Sequence, residues 1–121
     1  MLLLVSIAVG APPEDWRCSE GPAPSGTPDT ALHPAISRVL HDGSRQIRHC
    51  YERALKTDTS LAGALDLTLT IDGGTVRIAA VTENTIDNDV LEACVWRSAC
   101  TWRFPEATTG KLILPMSLTA E

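Results

Sequence analysis

Four cysteines and three histidines are the residues of this chain best suited to chemistry: Cys18, Cys50, Cys94 and Cys100, with His33, His41 and His49. His49 directly precedes Cys50, the neighbourhood to inspect first for an activated thiolate. Successive side chains on a helix diverge by about 100°, however, so this imidazole cannot lie beside that sulfur. The histidines recur at eight-residue steps, not at the three- or four-residue steps that bring two rings onto one metal. They read as surface or boundary residues. The cysteines form no CxxC pair and no Cys/His cluster, which argues against a structural zinc site. Asp87, Asp89 and Glu92 make a small acidic cluster, read as helix capping and solvated face. No GxSxG, P-loop, dinucleotide fingerprint, HExxH or EF-hand loop occurs, so neither a cofactor nor a metal is expected and an enzyme would need an unrecognised site.

The elements that must position these residues fit one small domain. The chain has 121 residues and a net charge of −5, from 10 basic and 15 acidic side chains. By the usual size of a domain this length makes one domain and no interdomain cleft is expected. The basic residues are spread along the chain, so no nucleic-acid partner is expected. Trp16, Tyr51, Trp96, Trp102 and Phe104 are the only aromatics, too few for a base-stacking platform or a ring-paved carbohydrate cleft.

At the N-terminus, the apolar run Leu2 to Val9 is followed by Gly10, Ala11, Pro12 and Pro13, so residues 1–11 read as a signal-peptide remnant and the chain as exported. No Lys or Arg precedes the run, which leaves open a plain hydrophobic N-terminus or a start further upstream. The run is far short of the roughly 20 apolar residues of a transmembrane helix. Cys18, set off from it by PPEDWR, is not placed for lipidation. Residues 12–33 hold most of the prolines with scattered Gly, Ser and Thr and read as a linker. In an exported chain an even number of cysteines favours two disulfides, with three possible connectivities.

From Pro34 to Leu55, Ile36, Val39, Leu40, Ile47, Tyr51, Ala54 and Leu55 fall at helical steps. Gly43 sits on the same stripe as a kink, a close packing contact or a break. Leu65, Leu67, Leu69 and Ile71 alternate with Asp66, Thr68 and Thr70, the pattern of a strand with one buried face. Asp72, Gly73 and Gly74 supply a tight turn, and Val76, Ile78 and Ala80 continue the alternation on the return strand. A second helix begins at Asp87 and Asp89, with Val90, Leu91, Cys94 and Val95 as its buried stripe. Trp102, Phe104 and Pro105 read as a cap on the open end of the core. In the last strand Leu112, Leu114, Met116 and Leu118 alternate with Ile113, Pro115 and Ser117, and Pro115 places it at a sheet edge. The order αββαβ predicts an α+β fold over residues 34–119, a two-layer α/β sandwich. A right-handed crossover gives a three-stranded antiparallel sheet of order 2-1-3 with both helices on one face.

The segments CYERAL at Cys50 to Leu55, LAG at Leu61 to Gly63, LDLTLTIDGGTV, EACV at Glu92 to Val95, WRFP at Trp102 to Pro105 and LPMSL together resemble the TonB C-terminal-like domains. The resemblance is closest to the AgmX/PglI C-terminal domain family of bacterial gliding-motility proteins and covers Ile36 to Leu118. It implies a non-enzymatic protein-binding module of the Gram-negative cell envelope or periplasm. In TonB relatives an extended peptide adds to an exposed strand edge. Carried onto this chain, that edge is Lys111, Ile113, Pro115 and Ser117, with an envelope protein or peptide segment as partner. Pro115 removes one backbone donor there. The membrane anchor and long linker of an energy transducer are not expected.

Cys50 and Cys94 lie on helical stripes that would share one sheet face, a geometry compatible with a disulfide. Cys18 and Cys100 would then pin the linker to the end of the second helix. Two free thiols or an intermolecular bridge is the other outcome for them. A thiol- or metal-dependent enzyme using Cys18 or Cys100, or a purely structural domain, are the alternative functions.

Overall fold

The computed structural model describes residues 12–29 and 33–119. The apolar run at 1–11, expected to be a signal-peptide remnant, lies outside the described residues, as do 30–32 of the expected linker. The chain forms α1 (His33–Leu55), β1 (Gly63–Asp72), β2 (Thr75–Asn84), α2 (Asp89–Ala99) and β3 (Gly110–Leu118). The sheet is antiparallel with order β2-β1-β3, the α+β arrangement the sequence predicts.

Strict alternation makes β1 the central strand. Leu65, Leu67, Leu69 and Ile71 are buried against the helices, while Asp66 and Thr68 on the opposite face are half-buried. Gly73 and Gly74 both take positive φ, 58° and 83°, the conformation that a two-residue hairpin turn requires. A side chain at Gly74 would also collide with the Phe104 carbonyl oxygen, 2.4 Å from an ideal Cβ.

The return strand departs from simple alternation. Ile71 faces Val76 and Thr70 faces Ile78, so Arg77 is an extra residue and the strand bulges there. Beyond the bulge Ala79 and Val81 pair with Leu69 and Leu67 on the core side. Ile78 and Ala80, expected to share a face with Val76, therefore turn to the other side of the sheet.

Helix α1 runs unbroken through Gly43 and buries Ile36, Ile47, Cys50, Tyr51 and Ala54. The Tyr51 hydroxyl donates to the carbonyl of Leu61, tying the helix to the chain that enters β1. The N-cap of α2 is Asn88, whose Oδ1 accepts from the Leu91 N–H at 2.9 Å, with Asp89 and Glu92 in the first turn. Leu91, Val95 and Ala99, at four-residue steps, are its buried stripe. Val90, expected on that stripe, is 59% exposed: it and Cys94 lie one position back, along the groove facing α1. Trp102 and Phe104 are buried in the core.

Within the Pro- and Gly-rich N-terminal segment, residues 16–18 run along the outer edge of β2, Arg17 standing opposite Ile78. The Cys18 N–H donates to the Arg77 carbonyl at 2.7 Å, and the Ala79 N–H donates to the Trp16 carbonyl at 3.0 Å. Trp16 holds a left-handed φ of 56°, costly for a non-glycine residue. Its carbonyl oxygen is fixed by Ala79 and by the indole Nε1 of Trp96, 3.0 Å away. The segment then crosses the outer face at the hairpin end. There Arg77 donates to Ser19 Oγ and to the Glu20 carbonyl, and Gly21 lies against its guanidinium.

Candidate functional site

The two sheet edges differ, and the difference follows from main-chain direction. On β1 the Ala64 carbonyl accepts from the Thr85 N–H at 3.0 Å, on the β2 side. Main-chain groups alternate sides along an antiparallel strand, so Leu65, Leu67 and Leu69 bond toward β3. Their partners Met116, Leu114 and Leu112 point back to β1. The groups of Lys111, Ile113, Pro115 and Ser117 consequently point to the free edge. Lys111 bears this out, because its N–H donates outward to the Gly26 carbonyl at 2.8 Å.

Each residue expected at the edge thus has a distinct condition. The Lys111 donor is taken by the N-terminal segment. Pro115 has no donor, and because its nitrogen faces outward its presence costs the β1–β3 ladder nothing. Ile113 and Ser117 keep outward N–H groups with no partner among the described residues. Ile113 is 63% exposed, one of two large apolar side chains so exposed among the described residues. On the helix-facing side, Leu112, Leu114 and Met116 are only half-buried. A groove of about 190 Å³ lies at the C-terminal end of β3, lined by Ser44 and Arg48 of α1 with Met116, Ser117 and Leu118.

The β2 edge is occupied along its first half. Arg17 lies opposite Ile78 and Arg103 opposite Thr75, so loop segments cover it from Thr75 to Ala79. This pairing has no periodic signature, because Trp16–Cys18 sits in a proline-rich stretch with no alternating pattern. The cysteines carried the available signal. Cys50 bridges Cys94 with Cα atoms 5.7 Å apart, joining α1 to α2. Cys18 bridges Cys100 with Cα atoms 5.3 Å apart, locking the segment on the β2 edge to the C-terminal end of α2.

The acidic cluster performs local work. Asn84 donates to Glu92, and the Asn84 Oδ1 accepts from the N–H groups of Ile86 and Asp87. Burial pushes the Glu92 carboxyl above its ordinary range, and Asp89 and Asp87 add to this while the Asn84 hydrogen bond opposes it. His49 pairs with Glu52 on exposed helix surface. Among the described residues, no three His, Cys, Asp or Glu side chains are grouped to hold a metal ion. No described helix is long and apolar enough to cross a membrane, and two disulfides fit an oxidising compartment.

Comparison with protein-family models, with curated proteins and with solved structures gives no match to this chain.

Proposed function

We propose that this domain is a non-enzymatic binding module of the bacterial cell envelope that receives an extended segment of another protein along the free edge of β3. The observation that carries this reading is the difference between the sheet edges: the chain's own loops cover β2 from Thr75 to Ala79, whereas on β3 the Lys111 donor alone is taken and Ile113 and Ser117 offer outward donors. Each main-chain hydrogen bond of an added strand contributes about 1 kcal/mol. An added strand would also bury the flanks of Leu112, Leu114 and Met116, which supplies an apolar contribution.

The resemblance to the TonB C-terminal-like domains supports the same reading, and with it a periplasmic setting in a Gram-negative bacterium. The thiol enzyme has less to stand on, because Cys18 and Cys100 are joined to each other and provide no nucleophile. The test is removal of the second donor. Envelope extract passed over the immobilised native chain is expected to yield one bound protein; an Ile113→Pro chain should lose it, while Asp66→Asn should retain it. Equal recovery with Ile113→Pro would refute strand addition at β3.

A further inference from the structure

A second feature lies on the opposite layer, between the helices. Arg53 of α1 and Arg97 of α2 flank a groove whose floor is the Cys50–Cys94 disulfide, with Val90 at its mouth. The groove continues past Gln46 and Ser98 toward Thr101, again with both arginines in its wall. No carboxylate lines either part, and among the described residues neither arginine has an acidic partner within ion-pair distance. Two like charges facing one groove raise the local positive potential in a chain whose net charge is −5. Val90 is exposed there although the rest of α2 buries its aliphatic residues.

The shape of the groove decides what it can hold. Its two connected parts, of about 180 and 380 Å³, are shallow and open to solvent along the helix pair, without the enclosing walls that bury most of a small molecule's surface. One or two side chains of a polypeptide fit it better. Guanidinium groups pair with carboxylates through two parallel hydrogen bonds, and the disulfide with Val90 gives an apolar surface beside them. From this we infer that the α1–α2 groove is a peptide-docking site for an acidic residue followed by an aliphatic one. The carboxylate lies between Arg53 and Arg97 and the aliphatic side chain rests on Val90 and the disulfide. This site is separate from the β3 edge and stands or falls independently of it.

The test is an amide-shift titration of the ¹⁵N-labelled, fully oxidised chain with two blocked tetrapeptides, acetyl-Ser-Glu-Leu-Ser-amide and acetyl-Ser-Gln-Leu-Ser-amide. Saturating shifts at Val90, Cys94 and Arg97 are expected with the glutamate peptide. Binding of the glutamine peptide should be about fivefold weaker or more, the difference between a charge-assisted hydrogen bond and the neutral one that glutamine can still accept. Arg53→Ser and Arg97→Ser chains should show the same loss, as should the native chain in about 0.5 M salt. Both arginines are exposed, and intact disulfides with an unchanged spectrum elsewhere establish that the variants fold. The inference is overturned by equal binding of the two peptides, by arginine variants that bind like the native chain, by shifts confined to Ile113 and Ser117, or by no saturation up to about 10 mM peptide.

Discussion

A methyl group placed on Gly43 of α1 would lie 2.3 Å from Cζ2 of the Trp102 indole. The ring is seated on bare helix backbone, and its Nε1 donates to Gln46 Oε1 at 2.8 Å. Gly43 is therefore a close packing contact, neither a kink nor a break, and the glycine gives up about 1 kcal/mol of helix propensity to admit the ring. Gly43→Ala regains that propensity but forces the indole out of place. Overpacking of this kind costs roughly 1–3 kcal/mol, so a net loss of stability is expected. Urea unfolding with an unchanged m-value would measure it, and a more stable variant would contradict the packing described.

The two disulfides should differ in what their loss does. Replacing Cys50 and Cys94 with Ser opens a loop with a sequence separation of 44, a loss of about 4 kcal/mol in the chain-entropy model. Replacing Cys18 and Cys100 has a comparable global effect and also a local one. The N-terminal segment is then held on β2 by few hydrogen bonds, and exchange of the Ala79 amide should accelerate relative to that of the other β2 amides. Unchanged local exchange at Ala79 would show that the segment docks without its staple.

Much of this architecture is legible in the residues. The β1 alternation from Leu65 to Ile71, the glycine pair at 73 and 74, and the outward Pro115 fix the hairpin and the sheet order. The departures have local causes. Ile78 and Ala80 change face because Arg77 is accommodated as a bulge, held by Ser19 and Glu20 from a distant part of the chain. Val90 is exposed because Leu91, Val95 and Ala99 already fill the sheet-facing stripe of α2. Pairing of Trp16–Cys18 with β2 is a tertiary contact made by an irregular segment, which leaves no periodic trace. The edge position of β3 is legible in Pro115 and the sheet order, and the resemblance names its edge residues, whereas the capture of the Lys111 donor by Gly26 has no sequence signal.

The Glu92 carboxyl gives a pH dependence with a definite sign. Its folded-state pKa is raised from an ordinary value of 4.5, by burial first and then by Asp89. The folded state therefore holds this proton more tightly than the unfolded state, and stability from this group falls as pH rises through the interval above 4.5. Glu92→Gln removes that loss and can still accept from Asn84. The stability of the variant relative to the native chain should rise between about pH 4 and about pH 7. A constant or falling difference over that range would contradict the assignment.

Pro115 also protects the edge from itself. An exposed strand with a full row of donors is a template for pairing with another copy, and Pro115 interrupts the row between Ile113 and Ser117. Pro115→Val supplies the missing N–H and a strand-forming side chain. Sedimentation should show concentration-dependent self-association of the variant where the native chain shows less, in line with about 1 kcal/mol gained per hydrogen bond. Identical behaviour of the two chains would mean that the β3 edge does not pair.

The central claim, that β3 receives a strand from another protein, is tested most directly by photo-crosslinking from its edge. A photoreactive residue at Ser117, with one at Asp66 on the outer face of β1 as control, is activated in source cells or in their envelope extract. One protein trapped from Ser117 and not from Asp66, with the crosslink mapping to an extended segment, is the expected result. Trapping from Asp66 alone, or nothing above background from Ser117, would contradict strand addition at β3.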